Sequence, residues 1–309
     1  MAQTRETRDT KGIISFLIAT FVVTWGLVLI ATRVPEALTA MVLSLCMLVP
    51  ASVAIFIQKL VLKRKLIGDN GLMIRVGNFI WLGLSYAGML ALLFAVYALT
   101  FIISPDVFNF DTPVMAQLAA TPFAALTPPG TVAALLGIGL TIGLITNSLF
   151  YLGEEIGWRG FLTPKLESWF GRRALLITGV IWAVWHTPMI VLLGHNYPDS
   201  PWLGHLVWIP IVICLSIIFQ SSQLKSGMVF APAMLHGMLN QVAGVVTMMM
   251  MAPDVFNPLL HGMTGLIALI ILVPISMFLY LRYPYHGAYP GELDLAEDQI
   301  SSDAQRNVT

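Results

Sequence analysis

The sequence predicts an all-α membrane protein, a bundle of about eight transmembrane helices, from its composition and from the length of its apolar runs. Of the 309 residues, 57% are hydrophobic and 10% are charged, whereas a soluble domain carries about 25% charged residues. The apolar residues gather in runs of roughly 20, the length of helix that crosses a hydrocarbon core about 30 Å thick. Most of the protein surface is therefore expected to contact lipid.

These apolar runs define the predicted spans in chain order. They are residues 12–32, 37–58, 79–104, 131–158, 174–194, 202–222, 227–251 and 263–281. The connections are mostly short, as between antiparallel neighbours in a helical bundle. The first run is too long for the apolar core of a typical signal peptide, so we expect it to be a retained helix.

The parts outside the spans complete the predicted organisation. Residues 1–11 are polar and are predicted to be a cytoplasmic tail, and residues 12–282 form the transmembrane bundle. Residues 283–309 are acidic and are predicted to be a disordered tail. The formal net charge of zero gives no indication of a nucleic-acid partner, and membrane lipids are the expected surroundings.

The basic residues predict the orientation of the bundle. If the N-terminus is cytoplasmic and the spans alternate, every one of the 16 lysines and arginines except Arg33 lies on the cytoplasmic side. Cytoplasmic loops of membrane proteins carry an excess of basic residues. The sequence therefore predicts an integral, multi-pass membrane protein with both termini in the cytoplasm.

Ionisable residues within the spans indicate where chemistry occurs, because each costs a few kcal/mol in a bilayer. They are Glu154, Glu155 and Arg159 in the fourth span, His186 in the fifth and His236 in the seventh, with the amides Asn147 and Asn240 beside them. At 1.5 Å per residue, Glu154, His186 and His236 lie about 16–20 Å from the cytoplasmic edge. This common depth predicts one site, in a core of about residues 131–251.

Helical spacing divides these residues into pairs. Glu155 and Arg159 are four apart and are expected to pair on one face as structural support. His236 and Asn240 are also four apart, which places two hydrogen-bonding groups together. Pro188 is expected to loosen the fifth span just after His186.

The set suits hydrolysis of a carbonyl compound. A carboxylate such as Glu154 can act as general base on water, with His186 helping to hold that water. His236 and Asn240 can donate hydrogen bonds to the oxyanion that develops at an attacked carbonyl. Glu154, His186 and His236 could instead bind zinc, since two histidines and a glutamate with an open position form a known catalytic zinc set.

A second class of function is a proton-coupled membrane transporter in which Glu154 and the histidines relay protons. Carriers often carry broken helices in two matching halves, whereas these polar groups lie only in the C-terminal half, which favours an enzyme. Trp158 and Trp182 are expected to be packing aromatics. The remaining histidines lie at loops or span ends and are expected to be ordinary interfacial residues: His195, His205, His261 and His286.

Three short motifs resemble those of the CPBP family, the CAAX proteases and bacteriocin-processing proteins. Residues 154–160, Glu-Glu-Ile-Gly-Trp-Arg-Gly, resemble its Glu-Glu-x-x-x-Arg motif. Trp182 to His186 is similar to its second motif, an aromatic residue followed four positions later by His, although Phe is commoner there. His236 to Asn240 is similar to the third, and the resemblance covers about residues 150–245.

The resemblance implies an eight-helix core with a site made of Glu154, His186, His236 and Asn240. It implies that Glu154 and His186 activate water and that His236 and Asn240 form the oxyanion hole. The family includes the type II CAAX prenyl endopeptidases, which remove a C-terminal tripeptide after prenylation. The implied substrate is therefore a peptide or protein, including one prenylated at its C-terminus.

The resemblance also bears on the alternatives. The family is often named as metalloproteases, yet it implies a glutamate mechanism, so no metal is favoured and zinc stays the alternative. Some members act in bacteriocin immunity or as membrane scaffolds, which makes a non-catalytic role of the same family a further alternative. That role is disfavoured because all four proposed catalytic positions are filled.

Overall fold

The computed structural model describes residues 5–63 and 72–283, with side chains from residue 9 onward. Within these ranges the protein is helical and contains no β-strand. Three π-helical segments interrupt or extend the helices, at Ile57–Val61, Gly139–Gly143 and Ile156–Leu162. The α-helices are α1 Arg5–Ala31, α2 Glu36–Phe56, α3 Phe79–Ile103, α4 Pro113–Leu118, α5 Pro128–Ile138, α6 Leu144–Thr146, α7 Ser148–Glu155, α8 Thr163–Phe170, α9 Arg173–Trp185, α10 Thr187–Leu193, α11 Pro201–Ser226, α12 Phe230–Met250 and α13 Leu266–Leu281.

The described part of the chain holds seven helical segments long and apolar enough to cross a membrane. They are Asp9–Ala31, Glu36–Val61, Val76–Ile103, Pro128–Thr146, Arg173–Leu193, Pro201–Ser226 and Phe230–Met250. The predicted all-α polytopic membrane protein is thus confirmed. The predicted eighth span is present as α13, but its 16 residues extend about 24 Å, less than the hydrocarbon thickness of about 30 Å.

The fourth predicted span, residues 131–158, is not one continuous helix. The backbone leaves helical geometry at Asn147, with φ −97° and ψ 4°, and the Asn147 side-chain Nδ2 donates to the Gly143 carbonyl at 2.9 Å. The Gly143 carbonyl thus accepts from both the backbone N–H and the side chain of Asn147, a local side-chain bond of the kind by which asparagine perturbs helices. The Glu-Glu-x-x-x-Arg motif therefore lies beyond the break, on the short helix α7 and the π-helical segment that follows it.

The termini differ from the prediction in one respect. Helix α1 begins at Arg5, so the segment predicted as a polar tail, residues 1–11, is helical from that residue onward. The predicted acidic tail lies outside the described residues except for Tyr283, and so does much of the predicted cytoplasmic loop between Lys59 and Arg75. The predicted orientation of the bundle remains a prediction.

Two glycines fix the motif-bearing segment against α2. A Cβ atom on Gly153 would lie 2.4 Å from the Met47 carbonyl oxygen, and one on Gly157 would lie 2.4 Å from Cβ of Pro50. Small residues four apart on one helix allow such close backbone approach between membrane helices. This contact places Glu154 and Glu155, which lie between the two glycines, inside the bundle.

The other two motif-bearing helices meet at α11. Helix α11 packs against α9, α12 and α13, and a Cβ on Gly179 of α9 would lie 2.8 Å from the Ile213 Cα of α11. The π-helical segment Ile156–Leu162 also contacts α9 and α11. The four elements around α11 therefore enclose one common interior, and this interior holds the polar residues.

Candidate active site

The acidic and basic groups of the first motif are buried inside the bundle. Glu154 is 2% exposed, and Glu155 and Arg159 are 0% exposed. His236 on α12 is 5% exposed and faces the same interior. Charged groups so deep in an apolar protein require partners, because an unpaired buried charge costs several kcal/mol.

Glu154 is held by two tryptophan side chains. Its Oε2 accepts a hydrogen bond from Nε1 of Trp182 at 2.7 Å and from Nε1 of Trp158 at 3.4 Å. Both tryptophans were expected to be packing aromatics, and the donation to Glu154 is a role that helical spacing alone did not predict. Its Oε1 accepts no hydrogen bond from any described residue, so lone pairs on that oxygen remain available.

Glu155 joins two basic side chains. Arg159 Nη1 lies 3.1 Å from both Glu155 oxygens, which is the pair expected from the four-residue spacing. His236 Nδ1 donates to Glu155 Oε1 at 2.9 Å. This second contact links α7 to α12, and it was missed because helical periodicity relates residues within one helix but not between helices.

Arg159 has an aromatic neighbour as well as its acidic partner. Its guanidinium carbon lies 4.2 Å from the centre of the Trp182 ring and 5.3 Å from that of Phe219. Stacking of this kind stabilises a cation by about 0.5–2 kcal/mol. The arginine therefore supports the site by pairing with Glu155 and by packing on the same tryptophan that holds Glu154.

His186 lies at the junction between α9 and α10. Helix α9 ends at Trp185, and α10 begins at Thr187 with Pro188 in its first turn, which accords with the expected loosening near that proline. The ring Nδ1 of His186 lies 2.8 Å from the Trp182 carbonyl oxygen. A carbonyl can only accept, so Nδ1 carries the proton, and a neutral ring then presents a lone pair on Nε2.

His236 is fixed in the same manner by its carboxylate partner. Since Nδ1 donates to Glu155, the neutral ring carries a lone pair on Nε2, and only the imidazolium form donates from that atom. The ring packs against Trp182, Phe219 and Tyr151, with centroid distances of 5.5, 5.8 and 5.6 Å. Glu155 therefore sets both the ring orientation and the chemistry available at Nε2.

The two amides singled out in the sequence lie in different surroundings. Asn240 follows His236 by one turn of α12, and its side chain is exposed rather than buried. No hydrogen bond links it to the rest of the described chain. Asn147 is partly buried and donates to Gly143 within its own segment. Asn240 is thus the exposed member of the four proposed site positions, whereas Asn147 lies at the helix break and bonds within its own segment.

The residues of the alternative zinc set are not arranged as a ligand cluster. Across the described ranges, no group of three or more His, Cys, Asp or Glu side chains could hold a metal ion. Among the described residues, Glu154, His186 and His236 are thus not placed as a ligand cluster, and the metal-free mechanism remains a prediction.

Two of the histidines expected at interfaces, His195 and His205, lie close enough to His186 to interact with it electrostatically. The His205 ring Nε2 lies 3.1 Å from the Thr187 hydroxyl oxygen, and His261 Nδ1 accepts from the Asn257 backbone N–H at 3.0 Å. His195 lies in the loop after α10, where burial lowers its pKa, and His286 lies outside the described residues.

Comparison with known proteins bears directly on this site. Residues 128–242 match the family described as Rce1-like, the type II CAAX prenyl endopeptidase Rce1-like proteins. The matched stretch contains all three motifs, from Glu154 to Asn240. None of the curated proteins compared with the chain matches it. The family resemblance of the three motifs is thus confirmed, and residues 128–242 of this integral membrane protein form an Rce1-like domain of the type II CAAX prenyl endopeptidase family.

Proposed function

We propose that this protein is an intramembrane endopeptidase of the CAAX-protease type that uses Glu154 as the general base. The observation that carries the proposal is the double role of Trp182. Its indole N–H donates to Glu154 at 2.7 Å, and its carbonyl oxygen accepts from His186 at 2.8 Å. One residue therefore fixes both groups proposed to activate water, which favours a common task over two separate structural roles.

In the first step, the Glu154 carboxylate takes a proton from a water molecule as the water oxygen attacks the peptide carbonyl carbon. The lone pair on His186 Nε2 accepts the other hydrogen of the same water and orients it. The carbonyl C–O π bond opens, and its electrons pass to the oxygen as a tetrahedral oxyanion forms.

His236 and Asn240 are proposed to bind that oxyanion. They lie one turn apart on α12, and His236 donates from Nε2 in its imidazolium form, with the Glu155 carboxylate 2.9 Å from Nδ1. Prearranged donors of this kind commonly lower a reaction barrier by about 3–4 kcal/mol each. The C–N bond then breaks, and the proton held by Glu154 passes to the departing amine nitrogen.

The proposed substrate is a peptide or protein at the membrane, including one with a prenylated C-terminus. Two features support this class: the family match, and the position of the site within a bundle whose outer surface is apolar. A substrate with a lipid tail would concentrate in the same bilayer as the protein. Membrane lipids are the other expected contact, and no metal is assigned a step.

The test is a cleavage assay on the purified full-length protein in detergent, with fluorogenic peptides that do or do not carry a C-terminal prenyl group. Glu154→Gln keeps the size and hydrogen-bonding capacity of the side chain but cannot act as the base. It is expected to abolish turnover while substrate binding and the melting temperature change little.

Glu36→Gln is the matched control, because Glu36 is exposed in the first turn of α2 and the substitution is the same. This variant is expected to turn over at the wild-type rate. Undiminished cleavage by Glu154→Gln would refute the assignment of the base. Failure of the wild-type protein to cleave any peptide of the panel would favour the non-catalytic scaffold of the same family.

A further inference from the structure

Tyr151 is a buried residue of the site that none of the three motifs contains. It lies on α7, one turn before the two glutamates, and is 5% exposed. Its ring lies 5.6 Å from the His236 ring, centroid to centroid, with an interplanar angle of 34°. This ring contact places Tyr151 against one of the two proposed oxyanion-binding residues.

Gly237 on α12 leaves room for the Tyr151 ring to pack against the helix backbone. A Cβ atom on Gly237 would lie 2.7 Å from Cε2 and 2.8 Å from Cδ2 of Tyr151. Any larger residue at position 237 would push the ring away from α12. The ring therefore lies directly on the helix backbone at Gly237, beside His236.

Gln241 holds the Tyr151 hydroxyl group in place. Its Nε2 donates to Tyr151 Oη at 3.0 Å. A Cβ atom on Gly139 would lie 3.1 Å from Gln241 Oε1, and one on Gly143 would lie 3.3 Å from its Cδ. Because these two positions lack side chains, the Gln241 side chain packs closely against the backbone there, and this contact fixes the direction of its N–H.

The hydrogen bond from Gln241 determines what the tyrosine can do. Because Oη accepts from Gln241, the hydroxyl proton of Tyr151 remains free to be donated, and no acceptor for it is found among residues 9–63 and 72–283. Gln241 follows Asn240 directly in the chain, so the hydroxyl lies at the level of Asn240 along α12, on the side of the helix that Gln241 occupies about 100° around from Asn240.

The oxyanion site lacks a donor when His236 is neutral. His236 Nδ1 donates its proton to Glu155, so Nε2 of the neutral ring presents a lone pair and cannot donate. Asn240 would then be the sole donor of the proposed pair. A tyrosine hydroxyl donates whether or not His236 is charged. We propose that Tyr151, oriented by Gln241, is a further catalytic residue that donates a hydrogen bond to the oxyanion of the tetrahedral intermediate; this inference rests on the proposed peptidase function.

The test compares Tyr151→Phe with the wild-type protein in the peptide-cleavage assay. Losing one oxyanion donor typically lowers kcat by about 10²–10³-fold, so a fall of that order with unchanged KM is expected. A phosphonamidate peptide, which is tetrahedral at the attacked position, is expected to bind the variant more weakly, whereas substrate binding is unchanged. If Tyr151 only joined α7 to α12, Tyr151→Phe would change neither kcat nor the affinity for the phosphonamidate relative to that for the substrate.

Two further variants complete the test. Tyr86→Phe removes a partly buried hydroxyl on α3, outside the motif-bearing helices, that donates to the Leu140 carbonyl at 3.4 Å, and it is expected to retain the wild-type kcat. Gln241→Leu leaves the Tyr151 hydroxyl but frees its direction, and a smaller fall in kcat is expected. Because Gln241 acts through Tyr151, the double variant is expected to match Tyr151→Phe alone.

The outcomes separate this inference from the function on which it rests. Cleavage by the wild-type protein, loss of cleavage in Glu154→Gln and an unchanged kcat in Tyr151→Phe would overturn the role of Tyr151 alone. An additive loss in the double variant, or an equal loss in Tyr86→Phe, would overturn it as well. A wild-type protein without cleavage activity would overturn both the function and the inference.

Discussion

Removal of the Arg159 guanidinium tests whether the buried ionic group supports the site or takes part in its chemistry. Arg159 is fully buried, lies 3.1 Å from Glu155 and stacks on Trp182. Removing one partner of a buried ion pair destabilises a protein by about 3–5 kcal/mol. In Arg159→Ala, Glu155 keeps its hydrogen bond to His236, so we expect a loss near the lower end, about 3 kcal/mol.

A loss of that size corresponds to a fall in melting temperature of about 6–12 °C, on the scale measured for domains of 150–250 residues. Activity is expected to fall in parallel, because Glu155 and Trp182 both position site residues. Thermal unfolding and peptide cleavage should be measured on the same detergent preparation. Arg173→Ala, at the exposed start of α9, is the control and is expected to change neither quantity appreciably.

One result for Arg159→Ala would refute a purely structural role for the guanidinium. An Arg159→Ala protein that melts at the wild-type temperature but has lost turnover would show that the guanidinium contacts the substrate or the developing charge. Arg159 would then be a catalytic residue rather than a structural support. A protein that is both stable and fully active would instead show that the ion pair contributes little to either property.

The remaining predictions concern the oxyanion donor, the metal, a pH-sensitive contact and the orientation of the bundle. Asn240→Ala is expected to lower kcat by about 10²–10³-fold while leaving measurable cleavage, and complete loss with unaltered folding would contradict a donor role. Extensive chelation is expected to leave cleavage intact, whereas activity lost on zinc removal and restored on its return would reverse this expectation. Burial raises the pKa of Glu167 from 4.5 to about 7, opposed by its hydrogen bond from Tyr283. The folded protein therefore binds more protons than the unfolded chain between those values, and stability is expected to fall by about 2–3 kcal/mol as pH rises from 4.5 to 7. Glu167→Gln should remove this slope in pH-dependent thermal unfolding. Labelling from outside intact cells is expected to reach a cysteine placed at Asn109 but not one placed at Asp69, and the reverse pattern would overturn the predicted orientation.

The parts of the fold that the sequence predicts are those set by local pattern. Apolar runs of about 20 residues identify the spans, and the four-residue spacing of Glu155 and Arg159 identifies their contact. The break at Asn147 escaped this approach, because the apolar run continues through the residue at which the backbone leaves helical geometry. Gly153 and Gly157 lie four residues apart at the first motif, a spacing that indicates close helix packing. An analysis of hydropathy alone does not use this spacing.

The sequence does not predict which residues of different helices contact one another. The bond from His236 to Glu155, the donation from Trp182 to Glu154 and the seat of Tyr151 on Gly237 each join residues more than 25 positions apart. Depth in the membrane places such residues at one level, but it does not determine which atoms meet. The exposure of Asn240 was missed for the same reason, because one turn of a helix can carry a buried residue and an exposed one.

The partners of the two adjacent glutamates argue for their separate roles. Neighbouring residues on a helix point about 100° apart, so Glu155 faces Arg159 and His236 while Glu154 faces the indole N–H groups of Trp158 and Trp182. Service of Glu155 as the base would disrupt its buried contacts with Arg159 and His236, which is costly inside a protein. Glu154 is held by neutral donors on one oxygen and has no hydrogen-bond donor from the described chain on the other. It can take a proton from water without separating any ion pair, and this difference supports Glu154 as the base and Glu155 as the residue that orients His236.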